Sequence, residues 1–528
     1  MITGEWQLDS GDADDQATYL AHALRLESLH GPGPWPDEGH PLPDEQPSAQ
    51  VPVLSSTVSD GVRTHHGAAP PDADAAELAS AIAEVVAVEP VARAIAALHD
   101  RLADRTALNL ADGLVRELRA LDLPRDRMRS VARYLVERGT RRNAVALGIV
   151  LLEVSGDERD RELLVLLGTL GDLTLYSVVA LANTSSDRYR AVYELARRVD
   201  GWGRIHAVER LQGCRDPEIQ GWLVRTGFCN GVMDEYLAHI AATTGDLYSA
   251  LLAPDVDAEL LDGAAGILEA LAAIGGPAPD IRDYEDAPAV LDRFAELVAA
   301  DPTIARLNSV RDIAVLLTDR ADRLDWPEDV INHAAQRYSD LLGRPEWPGL
   351  VRRQLAEPVG EFGFNRALAC AEAVGIDAYP YAVAYLPRDP RNGYVWQWVA
   401  GRVPDDCIAD LVALAEQLLP LDEIACGPGT GGWRRGRGFA DDITLEIVLP
   451  VLRRAAPGTG MPLIRAALSG YGLRLRRQAL TVLDTWSVNA VPAEAEAWVS
   501  AAAMLEPDEE FRAELHAFGA AVRAERPG

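Results

Sequence analysis

From Asp74 onward this chain is patterned at a single period. AAELASAIAEVVAVEPVARAIAALHDRLADR (75–105), RMRSVARYLVERG (127–139), RRNAVALGIVLLEV (141–154) and DRYRAVYELARRV (187–199) place apolar residues three and four positions apart. That spacing lines one face of an α-helix. Period-two alternation with β-branched residues, the mark of a strand, is scarce. Short Gly, Pro, Asp and Asn breaks punctuate the pattern as they do between the two helices of a hairpin. Such a signal, held over roughly 450 residues, predicts an all-α fold.

Within it a loose unit recurs, R-x-x-A-x-x-x-L, at Arg188–Leu195, Arg204–Leu211 and Arg476–Leu483. Ala191, Ala207 and Ala479 let neighbouring helices approach closely, and the Arg ahead of each is placed to cap or bridge adjacent turns. In this respect the chain resembles the HEAT-like α-solenoids, whose degenerate repeats stack into a curved superhelix. The resemblance implies an α-solenoid of HEAT-like antiparallel helix pairs. Residues 1–75 differ: 13 acidic residues face two Arg, and GPGPWPDEGHPLPDEQP (31–47) is rich in Pro. They read as an acidic, largely disordered or loosely docked arm, apart from a short amphipathic helix over Gln16–Leu29. Residues 76–342 form an N-terminal helical repeat region. LLGRPEWPG (341–349) breaks the pattern, and residues 343–528 form a C-terminal helical repeat region interrupted by a Gly/Arg loop at 426–438.

Composition removes several chemistries. All 50 cations are Arg, so neither a Walker A loop nor a pyridoxal-phosphate Schiff base is available, since both need Lys. With 81 acidic residues the net charge is −31, which repels polyphosphate and disfavours nucleic acid as a partner. The Arg-rich stretch at 125–142 therefore reads as a solvated helix face rather than a DNA-gripping stripe. Five widely spaced cysteines without a C-x-x-C pair point to buried thiols in a reducing compartment. The acidic N-terminus carries no signal-peptide pattern, which gives a cytoplasmic expectation. Leu163–Ala182 is apolar enough to raise a membrane span, but Gly168 and Gly171-Asp172 interrupt it, with Asp172 suited to cap a helix. Two short buried helices joined by a turn are expected there.

Gly427, Gly429 and Gly432 match G-x-G-x-x-G, yet a helical lead-in and Pro428 replace the strand and turn that a dinucleotide site requires. The segment reads instead as a mobile loop in which Trp433, Arg434, Arg435 and Arg437 are candidate binding residues for an acidic or phosphorylated partner, or for the acidic arm. The haem-thiolate loop, G-x-S-x-G and H-E-x-x-H are all missing. Asp12-Ala-Asp14-Asp15 spells a cyclase-like D-x-D-D, but within the acidic arm. The pair His65-His66 is a stray-metal candidate that reads ordinarily as solvated linker.

The most distinctive words lie between Gly171 and Glu285: GDLTLY (171–176), GWGRIHAVERL (201–211), EIQGWL (218–223), CNGVMDEYLAHIA (229–241), GDL (245–247), GGP (275–277) and DIRDYE (280–285). This block, about a fifth of the chain, is similar to a bacterial family labelled "limonene hydroxylase". The resemblance implies an oxidoreductase acting on an apolar small molecule. Asp200 is placed to cap a helix whose first turn is Gly201-Trp202-Gly203, with the glycines allowing close packing around Trp202. Trp202 and Arg204 are candidate binding residues. His206 and Glu209 lie three apart on one helical face, Glu235 and His239 four apart on another. Two carboxylates and two imidazoles from facing helices are the ligand inventory of a di-iron or di-manganese centre, and these four are the catalytic and metal candidates. The HEAT-like deoxyhypusine hydroxylases carry di-iron on His-Glu dipeptides that this chain lacks, so capping or solvated side chains are the ordinary reading. Taken together, the leading expectation is an interaction protein that binds a protein or peptide on a concave face, with no cofactor. The alternative is the hydroxylase-like enzyme, with a di-iron or other divalent metal.

Overall fold

The computed structural model describes residues 17–45, 61–65, 74–360, 362–429, 434 and 437–525. The chain is all-α: no strand occurs among the described residues. Two compact units divide it, one running to Leu341 and the other starting at Leu342. In both, helices pack chiefly on helices close to them in sequence. None is long and apolar enough to cross a membrane among the described residues.

The first unit is built around the helix Arg142–Ser155, in which every residue from Ala144 to Leu152 is buried. An element apolar on all sides must be covered on all sides. Arg125–Arg138, Ala107–Ala120 and Gly171–Thr184 surround it. Gly148 permits the closest approach, since a Cβ there would press on Leu135 and Val136. The apolar stretch 163–182 is two buried helices, Arg161–Gly168 and Gly171–Thr184, joined by a turn. Asp172 does not cap the second, whose cap position is Leu170. Its carboxylate is fully buried, 2.9 Å from His40 Nε2 and 2.8 Å from Arg142 Nε.

His40 belongs to the acidic arm, and this part of the arm is folded. Thr18 Oγ1 accepts from the Ala21 N–H to start the helix Tyr19–His30. Tyr19, Ala23 and Leu26 are buried, as are Trp35 and Leu42 further along. The helix rests on Arg125–Arg138 and Arg161–Gly168. Asp44 ties the far end down, accepting from Tyr19 Oη at 2.5 Å and from the Arg142 N–H at 2.8 Å. The expectation of a largely disordered arm is therefore corrected for residues 17–45. Enough apolar area and enough paired charge are present in that stretch to order it. Residues 1–16, 46–60 and 66–73, including Asp12–Asp15 and His66, lie outside the described residues.

Arginines tie neighbouring helices together through carboxylates. Asp160 receives Arg129 through both of its oxygens at 2.8 Å and Arg133 at 3.0 Å. Arg306, 1% exposed, reaches Asp262 Oδ1 at 2.8 Å and the Ala258 carbonyl at 3.1 Å. In the second unit Arg476, also 1% exposed, pairs with both oxygens of Glu506 at 2.7 and 2.8 Å. Of the three Arg that open R-x-x-A-x-x-x-L units, Arg476 thus bridges to the next helix boundary. Arg204 donates to the carbonyls of Val199 and Cys229, and Arg188 is exposed beside the Tyr189 hydroxyl.

The cysteines are only partly as expected. Cys214 and Cys370 are buried, but Cys229 and Cys426 are exposed.

Candidate functional site

The central block departs from the long-helix pattern of its surroundings. Between 201 and 252 the chain forms Gly201–Glu209, Pro217–Trp222, a π-helical turn Leu223–Gly227, Glu235–Thr244 and Leu247–Leu252. Gly263 lets the helix Ala258–Ala272 lie directly on that π-turn, because a Cβ there would collide with the Val224 carbonyl and Arg225 backbone. Irregular helix of this type is often found where side chains must be re-aimed.

Gly201–Glu209 carries the site. Asp200 stands at its N-cap position but makes no side-chain cap hydrogen bond. Gly201 has φ +58, and a Cβ on it would strike the Glu38 carboxylate of the folded arm. A carboxylate thus already lies at this helix start, where the partial positive charge favours one. Gly203 allows Thr174 and Val199 to pack against the turn. Trp202, 4% exposed, then faces inward.

One turn further on, His206 and Glu209 point to the same side, with His206 Nδ1 3.9 Å from Glu209 Oε2. The third member is His65, at the end of the short helix 61–65. Its Nε2 lies 2.9 Å from Glu209 Oε1, and its Nδ1 lies 3.0 Å from the Gly61 carbonyl. Gly61 is what lets this turn sit flat on Trp202, since a Cβ there would overlap the indole. Arg63 anchors it by donating to Asn109 Oδ1 at 2.8 Å. The rings close into a cluster: His65 is 5.2 Å from Trp202, 5.4 Å from His206 and 5.3 Å from Tyr236, centroid to centroid.

Glu209 is held ionised. Burial opposes this, but the imidazoles of His206 and His65 outweigh it and bring the carboxyl down to about 2. His65 is displaced upward, chiefly by its hydrogen bond to Glu209 against the cost of burial. The donor atoms of His65, His206 and Glu209 all lie within 4.8 Å of one another, the one such His, Cys or carboxylate grouping among the described residues. Glu235 and His239 do not join it. His239 Nε2 is spent on the Asp283 carbonyl at 3.1 Å, and the four-residue di-metal arrangement expected from spacing does not assemble.

Arg204 faces elsewhere. It stacks over Trp222 at 5.4 Å and lines a shallow cleft of about 320 Å³ with Arg197, Asp200, Cys229 and Asn230. Burial lowers its guanidinium, and Asp200 partly compensates.

In the second unit Arg434 is committed to Asp442, through Nε at 2.9 Å and Nη2 at 2.5 Å, and donates to the Glu423 carbonyl. Trp433 and Arg435 lie outside the described residues, as does the Arg437 side chain. Gly427 and Gly429 are pinned, their N–H groups donating to the carbonyls of Ser469 and Tyr471. The unit also carries a groove of about 580 Å³ lined by Ala400, Ile443, Ile447 and Val451, with Glu446 and Gln478 among its polar residues.

Comparison with protein-family models, with curated proteins and with solved structures finds no match for this chain in any of the three.

Proposed function

We propose that this chain is a helical-repeat interaction protein, a HEAT-like α-solenoid that binds a protein or peptide segment in a concave groove. The observation that supports the reading is the second-unit groove. Its floor is apolar, it is walled by the helices Gly393–Arg402, Arg437–Val448 and Leu473–Asp484, and it is of a size that takes a short peptide stretch. Two acceptors line it. Gln478 Oε1 is buried with no hydrogen-bond partner among the described residues, and Glu446, 5% exposed, is pushed upward chiefly by burial although Arg474 lies 3.1 Å away. An apolar side chain flanked by backbone or side-chain N–H donors complements such a lining. Packing between sequence neighbours is likewise what a stacked helical array requires.

The test is selection of displayed peptides on the full chain, repeated on Ile447→Glu and Ala400→Arg. Peptides enriched on the unsubstituted protein are expected to lose binding to both variants while circular dichroism stays unchanged. Equal retention by folded variants, or no enrichment at all, would count against the groove.

A further inference from the structure

We propose that His65, His206 and Glu209 form a binding site for a single divalent transition-metal ion, two imidazoles and one carboxylate with coordination positions left open. Nothing in the first-unit packing requires two histidines and a glutamate to converge beneath two aromatic rings. A salt bridge alone would be satisfied by one of the imidazoles.

The geometry suits a metal in three respects. First, tetrahedral bonds of about 2.0–2.1 Å place donor atoms about 3.3 Å apart. His65 Nε2 lies 2.9 Å from Glu209 Oε1 and His206 Nδ1 3.9 Å from Oε2, and one donor atom from each of the three residues lies within 4.8 Å of the others, near that spacing. Second, the His65 Nδ1 proton has an acceptor in the Gly61 carbonyl at 3.0 Å, which leaves Nε2 facing the site. This outer hydrogen bond selects the tautomer that a metal needs. Third, Trp202 and Tyr236, 4% and 6% exposed, wall one side, while Glu209 keeps an opening to solvent for exchange. One carboxylate and two neutral imidazoles suit a borderline ion of the zinc or ferrous class rather than calcium or magnesium, which prefer oxygen donors.

One ligand comes from residues 61–65 and two from a helix some 140 positions later. Occupancy would therefore clamp the segment ahead of the helical body onto the central block.

The experiment uses the full chain, stripped with chelator and titrated calorimetrically with zinc chloride, with cobalt(II) absorption as a second reading of coordination. One ion per chain is expected. His65→Ala, His206→Asn and Glu209→Gln should each weaken binding by more than the roughly 10–100-fold that loss of an outer-shell partner costs. Glu209→Gln is nearly isosteric and half-exposed, so it keeps the test decisive even where the buried His206 variant fails to fold. Absence of saturable zinc binding overturns the proposal. So does binding that His65→Ala abolishes but Glu209→Gln and folded His206→Asn leave intact, because the ion would then sit on the His65-His66 dipeptide alone.

Discussion

Arg476 shows why a lysine-free chain still builds a tight interior. Its guanidinium serves both oxygens of Glu506 and the Gly470 carbonyl at once, with both partners about 1% exposed. An ammonium offers no planar fork and cannot satisfy that set. Removing one member of a buried pair costs about 3–5 kcal/mol, because the other is left charged and uncompensated. Arg476→Ala is expected to lower the stability of the second unit by that amount, and Arg476→Lys by a large part of it. Denaturant midpoints at constant m-value would check this. A Lys variant as stable as the parent would show that the fork is dispensable. The R-x-x-A-x-x-x-L pattern places Arg476 and Arg188 alike to cap or bridge adjacent turns, yet Arg188 is exposed and Arg476 pairs with Glu506. Local spacing is identical in the two, and only the distant acid distinguishes them.

At the scale of elements, the two pieces ahead of residue 74 dock by different chemistry. The Tyr19–His30 segment and its extension are fastened by apolar burial and by His40, whose hydrogen bond to Asp172, against the cost of burial, raises it to about 9. Glu45 and Asp172 face its two nitrogens, with Arg142 on the far side of Asp172. A histidine raised on folding contributes fully below its unfolded pKa near 6.5 and loses that contribution as pH rises through about 9. At about 1.4 kcal/mol per unit, the coupling is on the order of 3 kcal/mol. Limited proteolysis of residues 17–45 should accelerate between pH 6.5 and 9.5, and His40→Gln should be fast throughout. Cleavage with no pH dependence would refute it. The 61–65 turn adds a close steric fit to its Arg63–Asn109 and His65–Glu209 contacts. Gly61→Ala forces a methyl group into the Trp202 indole, and overpacking of this kind costs roughly 1–3 kcal/mol. Faster tryptic cleavage at Arg63 is expected, with an unchanged global melting temperature.

Helix identity was readable from periodicity because it is local: the two buried helices at 161–184 follow from Gly168 and Gly171 alone. The order of the arm is not readable from its acidic, Pro-rich composition, because the helix Tyr19–His30 buries its apolar side chains against helices that begin beyond residue 124. At the candidate site, His206 and Glu209 were legible as a helical pair. His65 was visible only as half of a His-His dipeptide, 144 positions from Glu209. Its one local signal was Gly61, four residues earlier.

For the molecule as a whole, the chain divides at Leu341–Leu342 into two compact units. The second contains Trp347 and Trp396, both fully buried. A fragment spanning 342–528 is expected to retain a helical spectrum and a cooperative melt; a non-cooperative transition would show that it depends on the first unit. Metal identity bears on function at this scale too. Zinc in the His65–His206–Glu209 site would act as a structural clamp or Lewis acid, having no redox states of its own, whereas iron there is what a hydroxylase-like activity would need.

The thiols offer a practical handle. Because the chain carries no lysine, amine-directed probes have no side chain to label. Cys229 and Cys426 are exposed and fall one in each unit, while Cys214 and Cys370 are buried. With the half-buried Cys407 replaced by Ser, maleimide dyes would mark one point on each unit. Energy transfer between them would then follow the separation of the two units in solution, with and without a bound partner.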